Sequence, residues 1–388
     1  MKPHAALILA LSLVSGTPSR GGEGESLDAI LTPHLERHKV PALAAAVIKD
    51  GVIVASGAVG TRRVGADIPV TRDDRFHLGS DTKAMTALLA GMLVDEGKLR
   101  WDSTVAELFP ELAGTMDARL RTVTLTQLLS HTSGVPGDDE AFDKLLGGSL
   151  TQDGNLDELR YGIVREYAKR PLAAKPGEKF AYANMNYLFA GSAVERIAGK
   201  TWEELVTERV FEPLGLKTAG LGPQSTVGRV DAPLGHVEVD GKVKAFLAGP
   251  NGDNPLVIGP AGTAHMSALD FARWAGWHAG GGKRGPALVK PDTLAKLHAM
   301  AVTIPAKKDA PPGTPALGRY GLGMGEMTVP WSKEPLLYHG GSNTKNLAHI
   351  WINPQRDFAL VVLTNIGGPR AEAALRAVAE DLYKRRAD

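Results

Sequence analysis

Apolar and polar positions divide the chain into a sheet-forming frame at its two ends and a helical middle. A helix-period pattern runs from about Ser26 to His38 and breaks before Pro41. Two strand-like apolar runs follow, Leu43 to Ile48 and Val52 to Val59, joined by Asp50-Gly51, a pair that favours positive φ in a tight hairpin. A second such pair, Leu347 to Ile352 and Phe358 to Thr364, brackets Asn353-Pro354, and a last helical pattern covers Arg370 to Lys384. The pattern predicts an α+β protein in which both chain ends build one antiparallel sheet flanked by helices, with a mostly helical second lobe between them. The expected division is a sheet lobe of about residues 25–80 and 315–388 and a helical lobe of about 81–314, with no linker separating independent units. The Pro-rich stretch Pro305 to Pro315 reads as a surface loop.

At the start, Lys2 precedes an apolar run from Ala5 to Val14 and then small and polar residues. The run is shorter than the roughly 20 apolar residues a bilayer span needs, so residues 1–24 read as a secretory signal peptide. A secreted or periplasmic protein with no stable membrane span in the mature chain is expected.

Composition narrows the chemistry. Of 388 residues, 44 are Lys or Arg and 43 are Asp or Glu, a net charge of +1 with both signs interspersed. That pattern argues against a nucleic-acid partner, whose phosphates demand clustered cations. With 43% hydrophobic residues the chain has ample core. The absence of cysteine removes disulfides, thiol nucleophiles and Cys-ligated metals together.

Gly79-Ser80-Asp81-Thr82-Lys83 opens a helix that runs to about Glu96 and stops at Gly97. From Ala84 to Val94 the helix is apolar on nearly every side, so it should be buried. Residues three apart share a helix face, which makes Ser80 and Lys83 neighbours. A serine hydroxyl needs a base to become a nucleophile, and a lysine becomes one when burial disfavours its charge. Taken alone, the pair is also what a capping serine and a solvated lysine would give. Tyr182-Ala183-Asn184, after the turn Pro176-Gly177, and His339-Gly340-Gly341, just before the C-terminal strands, are the other two segments of note.

These three segments, in this order, resemble the serine beta-lactamase and penicillin-binding peptidase superfamily, specifically its class C-like branch. Leu125 to Pro136, Phe211 to Leu216 and Gly259 to Trp274 are also similar to that family, so the resemblance spans nearly all of the mature chain. It implies a serine hydrolase in which Ser80 is acylated while Lys83 and Tyr182 share the proton work, the lysine's charge stabilising a phenolate. Asn184, His339, Gly341 and Ser342 would bind substrate, with the backbone N–H groups of Ser80 and Ser342 stabilising the oxyanion. No metal or organic cofactor is implied. His339 replaces the lysine usual in class C lactamases, which favours an esterase or a D-amino-acid or DD-peptidase over an efficient lactamase, and its charge should vary near neutral pH. The rival implication is a penicillin- or peptidoglycan-binding sensor acylated without turnover. The run Ser342 to Asn346 departs from the family's usual pattern, and Lys345 is a candidate cation near the acyl site.

Other features read as structural. His131 belongs to a turn beside the site, since no G-x-S-x-G elbow accompanies it. His34 and His38 read as a solvated helix face. Gly280 to Gly285 is a loop, and Ser267 caps the helix that follows it.

Overall fold

A computed structural model describes residues 24–149, 151–247, 252–304 and 317–387. The leader-like residues and the stretch Pro305 to Pro315 lie outside this range.

Nine strands form one sheet, in the order Glu25–Ser26, Val52–Gly60, Ala42–Lys49, Phe358–Thr364, Leu347–Asn353, Leu336–Ser342, Gly325–Met327, Leu317–Tyr320 and Val302–Thr303. Every neighbouring pair is antiparallel except the first, where Glu25–Ser26 runs parallel to Val52–Gly60. The first hairpin turns as its sequence requires, with Asp50 at φ 53° and Gly51 at φ 76°. The central strands are buried on both faces, and alternate residues separate into two cores. Leu43, Ala45, Val47, Leu360 and Val362 pack with Leu31 of the helix Asp28–His38 and Leu375, Val378 and Leu382 of the helix Pro369–Arg386. Ala44, Ala46, Ile48, Val361 and Leu363 face the opposite core, with Phe271 and Ala275 of the helix Ala268–Ala279.

That second core continues into the helical lobe, whose central helices are Lys83–Asp95, Leu156–Tyr167 and Asn184–Ala198. The helix Ala268–Ala279 packs on the sheet and the strand Val302–Thr303 forms its edge, so the sheet lobe takes up the chain earlier than residue 315. Ser267 caps its helix through the amide of Asp270, as its spacing predicts. A further helix, Glu140–Ser149, lies between Lys83–Asp95 and Leu156–Tyr167 in the chain. His34 and His38 are not a solvated face: both are half-buried, and His34 Nε2 lies 3.2 Å from Asp381. No helix among the described residues is long and apolar enough to cross a membrane.

Candidate active site

The nucleophile segment leaves the short strand Phe76–His77 and turns once as a 3₁₀ helix, Gly79–Thr82, before the helix Lys83–Asp95 begins. Every residue from Lys83 to Leu93 is buried. The apolar helix therefore carries its first residue inward, and Lys83 ends completely enclosed. Its Nζ lies 3.0 Å from Ser80 Oγ, 2.6 Å from Asn184 Oδ1 and 2.8 Å from the carbonyl of Ala261. The ammonium also sits 4.8 Å from the centre of the Tyr182 ring. The pairs Ser80 with Lys83 and Tyr182 with Asn184, about a hundred residues apart in sequence, thus converge on one point.

Burial brings the Lys83 amine down to about 7, against the opposing pull of the Asp138 and Asp81 carboxyls. Tyr182 shows 38% of its surface to solvent, yet its hydroxyl is enclosed beside Ser80. Enclosure holds that phenol above its ordinary range, Asp138 and Asp81 add to the effect, and only the Ser80 hydroxyl opposes it. This reverses the expectation that a charged Lys83 stabilises a phenolate. Near neutral pH the lysine gives up its proton and the tyrosine keeps its own.

Asn184 opens the helix Asn184–Ala198. Its backbone N–H and its side-chain amide both donate to Asp138, at 2.8 and 2.6 Å, which turns Oδ1 toward Lys83. Asp138 supplies a helix cap from a distant loop. Nothing in the local sequence around Asp138 signals this role.

His339, Gly341 and Ser342 lie on the strand Leu336–Ser342, inside the sheet and not ahead of it. This strand meets the nucleophile turn through two glycines. A methyl group on Gly341 would stand 1.8 Å from the Leu78 carbonyl and 2.7 Å from Ser80 N, and one on Gly79 would stand 2.3 Å from Ser342 N. Only glycine permits so close an approach, which brings the Ser80 and Ser342 amides to the same junction. His339 is buried, its Nε2 3.1 Å from the Tyr320 hydroxyl and its Nδ1 3.0 Å from the carbonyl of Gly340. Burial, reinforced by Lys83, pushes the imidazole down to about 3. It is neutral at physiological pH, contrary to the expectation of a charge that varies there. Lys345 extends its ammonium over the Phe246 ring at 4.9 Å and makes no hydrogen bond to Ser80, Lys83 or Tyr182.

Asp81 is the residue that sequence reasoning passed over. It sits inside the Ser80–Lys83 turn, buried, with neither carboxyl oxygen hydrogen-bonded among the described residues, and 3.7 Å from His339 Nδ1. Burial raises its pKa well above the usual carboxylate range, opposed by Lys83. His131 turns with φ 57° and holds its ring tilted against Tyr182, centroids 4.2 Å apart, its Nδ1 accepting the N–H of Ala183, so this turn does flank the site. Beside the motif strand, Tyr182, Tyr320, Tyr338, His339 and Glu372 line a cavity of about 250 Å³.

The sequence profile of the beta-lactamase family matches residues 27–383. The chain belongs to the beta-lactamase family. As a member it is a serine hydrolase acting on a small-molecule substrate. It is similar to penicillin-binding protein 4 of Amycolatopsis lactamdurans, with 30% identity over 88% of this chain and 84% of that protein. Among solved structures it is similar to the octameric penicillin-binding protein homologue from Pyrococcus abyssi, with a TM-score of 0.73 and 26% identity over 92% of this chain and 76% of that one. It shares its fold with a D-stereospecific amidohydrolase from Streptomyces, with a TM-score of 0.70 and 21% identity over 93% of this chain and 99% of that one.

Proposed function

We propose that this chain is a secreted or periplasmic acyl hydrolase that cleaves esters or amides through an acyl-enzyme on Ser80. The observation that carries the reading is the buried Lys83 amine, 3.0 Å from Ser80 Oγ and brought to about 7. In this mechanism neutral Lys83 takes the hydroxyl proton as Ser80 Oγ attacks the substrate carbonyl carbon. The oxyanion accepts hydrogen bonds from the Ser80 and Ser342 amides, donors that commonly contribute a few kcal/mol to such a transition state. As the carbonyl reforms, the departing alcohol or amine takes a proton that the Lys83 ammonium delivers through the Tyr182 hydroxyl. Water then attacks the acyl-enzyme along the same proton route and frees Ser80. Asn184 orients Lys83. The leader-like first residues support export.

Substrate class follows from the walls of the cavity. His339 is neutral, and among the described residues no lysine or arginine lines the space beside the motif strand. A substrate carboxylate would find no cation there. This favours uncharged esters and amino-acid amides, of the esterase or D-amino-acid peptidase type, over DD-carboxypeptide or penicillin substrates, with weak lactam hydrolysis as a side reaction. The test is turnover of p-nitrophenyl acetate, D- and L-alanyl amides and nitrocefin, beside labelling by a fluorophosphonate. Ser80→Ala is expected to lower ester turnover at least a thousandfold and to abolish labelling. Stable labelling by a fluorescent penicillin without turnover would favour the sensor, and nitrocefin cleaved far faster than the esters would overturn the substrate order.

A further inference from the structure

The two amides that would receive the oxyanion belong to segments far apart in sequence, and one buried carboxylate reaches both. His77, whose side chain is fully enclosed, accepts the N–H of Gly79 at its Nδ1, 3.0 Å away. A ring nitrogen that accepts carries no hydrogen, which leaves Nε2 as the ring's donor. That nitrogen lies 3.0 Å from Asp253 Oδ1. The same oxygen accepts from the side-chain amide of Asn343 at 2.8 Å and from the backbone N–H of Asn254 at 2.7 Å. Asn343 follows Ser342 directly, and its side-chain Oδ1 accepts from the Lys345 backbone N–H and the Asn346 side-chain amide, at 3.2 and 3.0 Å. Asn254 in turn donates to the carbonyl of Gly262 at 2.6 Å, which anchors the carboxylate's own segment beside the nucleophile turn.

The geometry points to Asp253 as a positioning residue that sets the separation of the two oxyanion donors, through His77 and Gly79 for Ser80 and through Asn343 for Ser342. The inference rests on the acyl-hydrolase reading. A buried carboxylate is costly unless polar groups surround it, and here they come from both halves of the junction: the Asn343 amide donates to it, and the His77 ring stands in close contact without an aligned hydrogen bond. Loosening either half moves an amide away from the place where charge develops. The reacting carbonyl of the ground state bonds only weakly there, so the loss falls on turnover and not on substrate binding.

The experiment is steady-state kinetics on p-nitrophenyl acetate together with inhibition by phenylboronic acid, whose tetrahedral adduct on Ser80 places an oxygen in the same position. Asp253→Ala is expected to lower kcat at least tenfold with KM within twofold of the parent, and to weaken the boronate by a similar factor. Asp253→Asn keeps the accepting oxygen and should recover kcat to within about threefold of the parent. Asn343→Ala removes one arm only and should give a smaller fall of the same kind, with little further loss when combined with Asp253→Ala. If Asp253→Ala does not fold, Asn343→Ala and Asp253→Asn still decide the matter. Parent-like kcat in Asp253→Ala or in Asn343→Ala, or a fall in kcat without weaker boronate binding, overturns the proposal. A parent protein without ester turnover or fluorophosphonate labelling fails the acyl-hydrolase reading itself, whereas an active parent with indifferent Asp253 and Asn343 variants fails this inference alone.

Discussion

Lys83 has been taken out of water while keeping three acceptors within hydrogen-bond reach, and the result is an amine that titrates near neutrality. If its neutral form is the base, kcat/KM for an uncharged ester should rise about tenfold per pH unit below about 7 and level off above it. A rate that stays flat between about pH 5 and 9 would contradict this. Asp81 poses the opposite problem. Its raised pKa means that the folded chain holds a proton the unfolded chain releases above about 4, so the acid lowers stability increasingly as pH rises. Asp81→Asn, a neutral isostere, should therefore gain on the order of 1 kcal/mol over the parent in urea unfolding near pH 8 and nothing below about pH 4. An equal gain at both pH values would show that burial of charge is not the cause. The Ser80 and Lys83 pairing was legible because helical spacing alone makes them neighbours. The state of Lys83, Tyr182 and His339 was not, because a proton's preference depends on enclosure by residues such as Ala261, Tyr320 and Asp138 that spacing cannot bring together.

At the scale of elements, the site is a junction between a helical turn and a strand with no room for a side chain between them. Gly341→Ala would drive a methyl into the Leu78 carbonyl, and Gly79→Ala would also have to hold φ 52°. Gly341→Ala is expected to cut kcat/KM at least a hundredfold while the far-ultraviolet circular dichroism stays close to that of the parent, since the clash separates the two amides without touching either core. Retained activity would mean that the strand can shift without cost. The two long hairpins and both terminal helices were readable because their strands carry uninterrupted apolar runs and their turns carry Asp-Gly and Asn-Pro. The strands Gly325–Met327, Leu317–Tyr320 and Val302–Thr303 were not, being short and at the sheet's edge, where few side chains are buried on both sides. The motif strand was hidden for a related reason: its two glycines break the apolar pattern at the very point where the site needs them.

For the whole molecule, burial of histidines sets the response to acid. Buried His278 meets half-buried His298 at 2.9 Å, and burial drives His278 well below the usual imidazole range and His298 to about 4. His265 is likewise brought to about 4. Each group has a folded pKa below its unfolded value, so its contribution is complete above about pH 6.5 and is lost as pH falls toward 4, at about 1.4 kcal/mol per pKa unit. Glu195, raised to about 7 by burial, works in the opposite sense, as do the Asp81 and Asp138 carboxyls that burial also raises. With His339, also lowered by burial, the histidines outnumber these acids, so the unfolding free energy in urea should fall from about pH 6.5 to 4.5, and His298→Gln should flatten the slope. A midpoint that holds or rises on acidification would refute the account.

The sheet takes its middle strands from opposite ends of the chain, and Ser342 can face Ser80 only after Leu336–Ser342 is seated between its neighbours. During synthesis, therefore, the ribosome finishes Ser80, Lys83, Tyr182 and Asn184 long before the surface that makes them useful exists. The growing polypeptide stays chemically silent until Leu336–Ser342 emerges, and a version ending at Pro335 should leave a fluorophosphonate probe untouched.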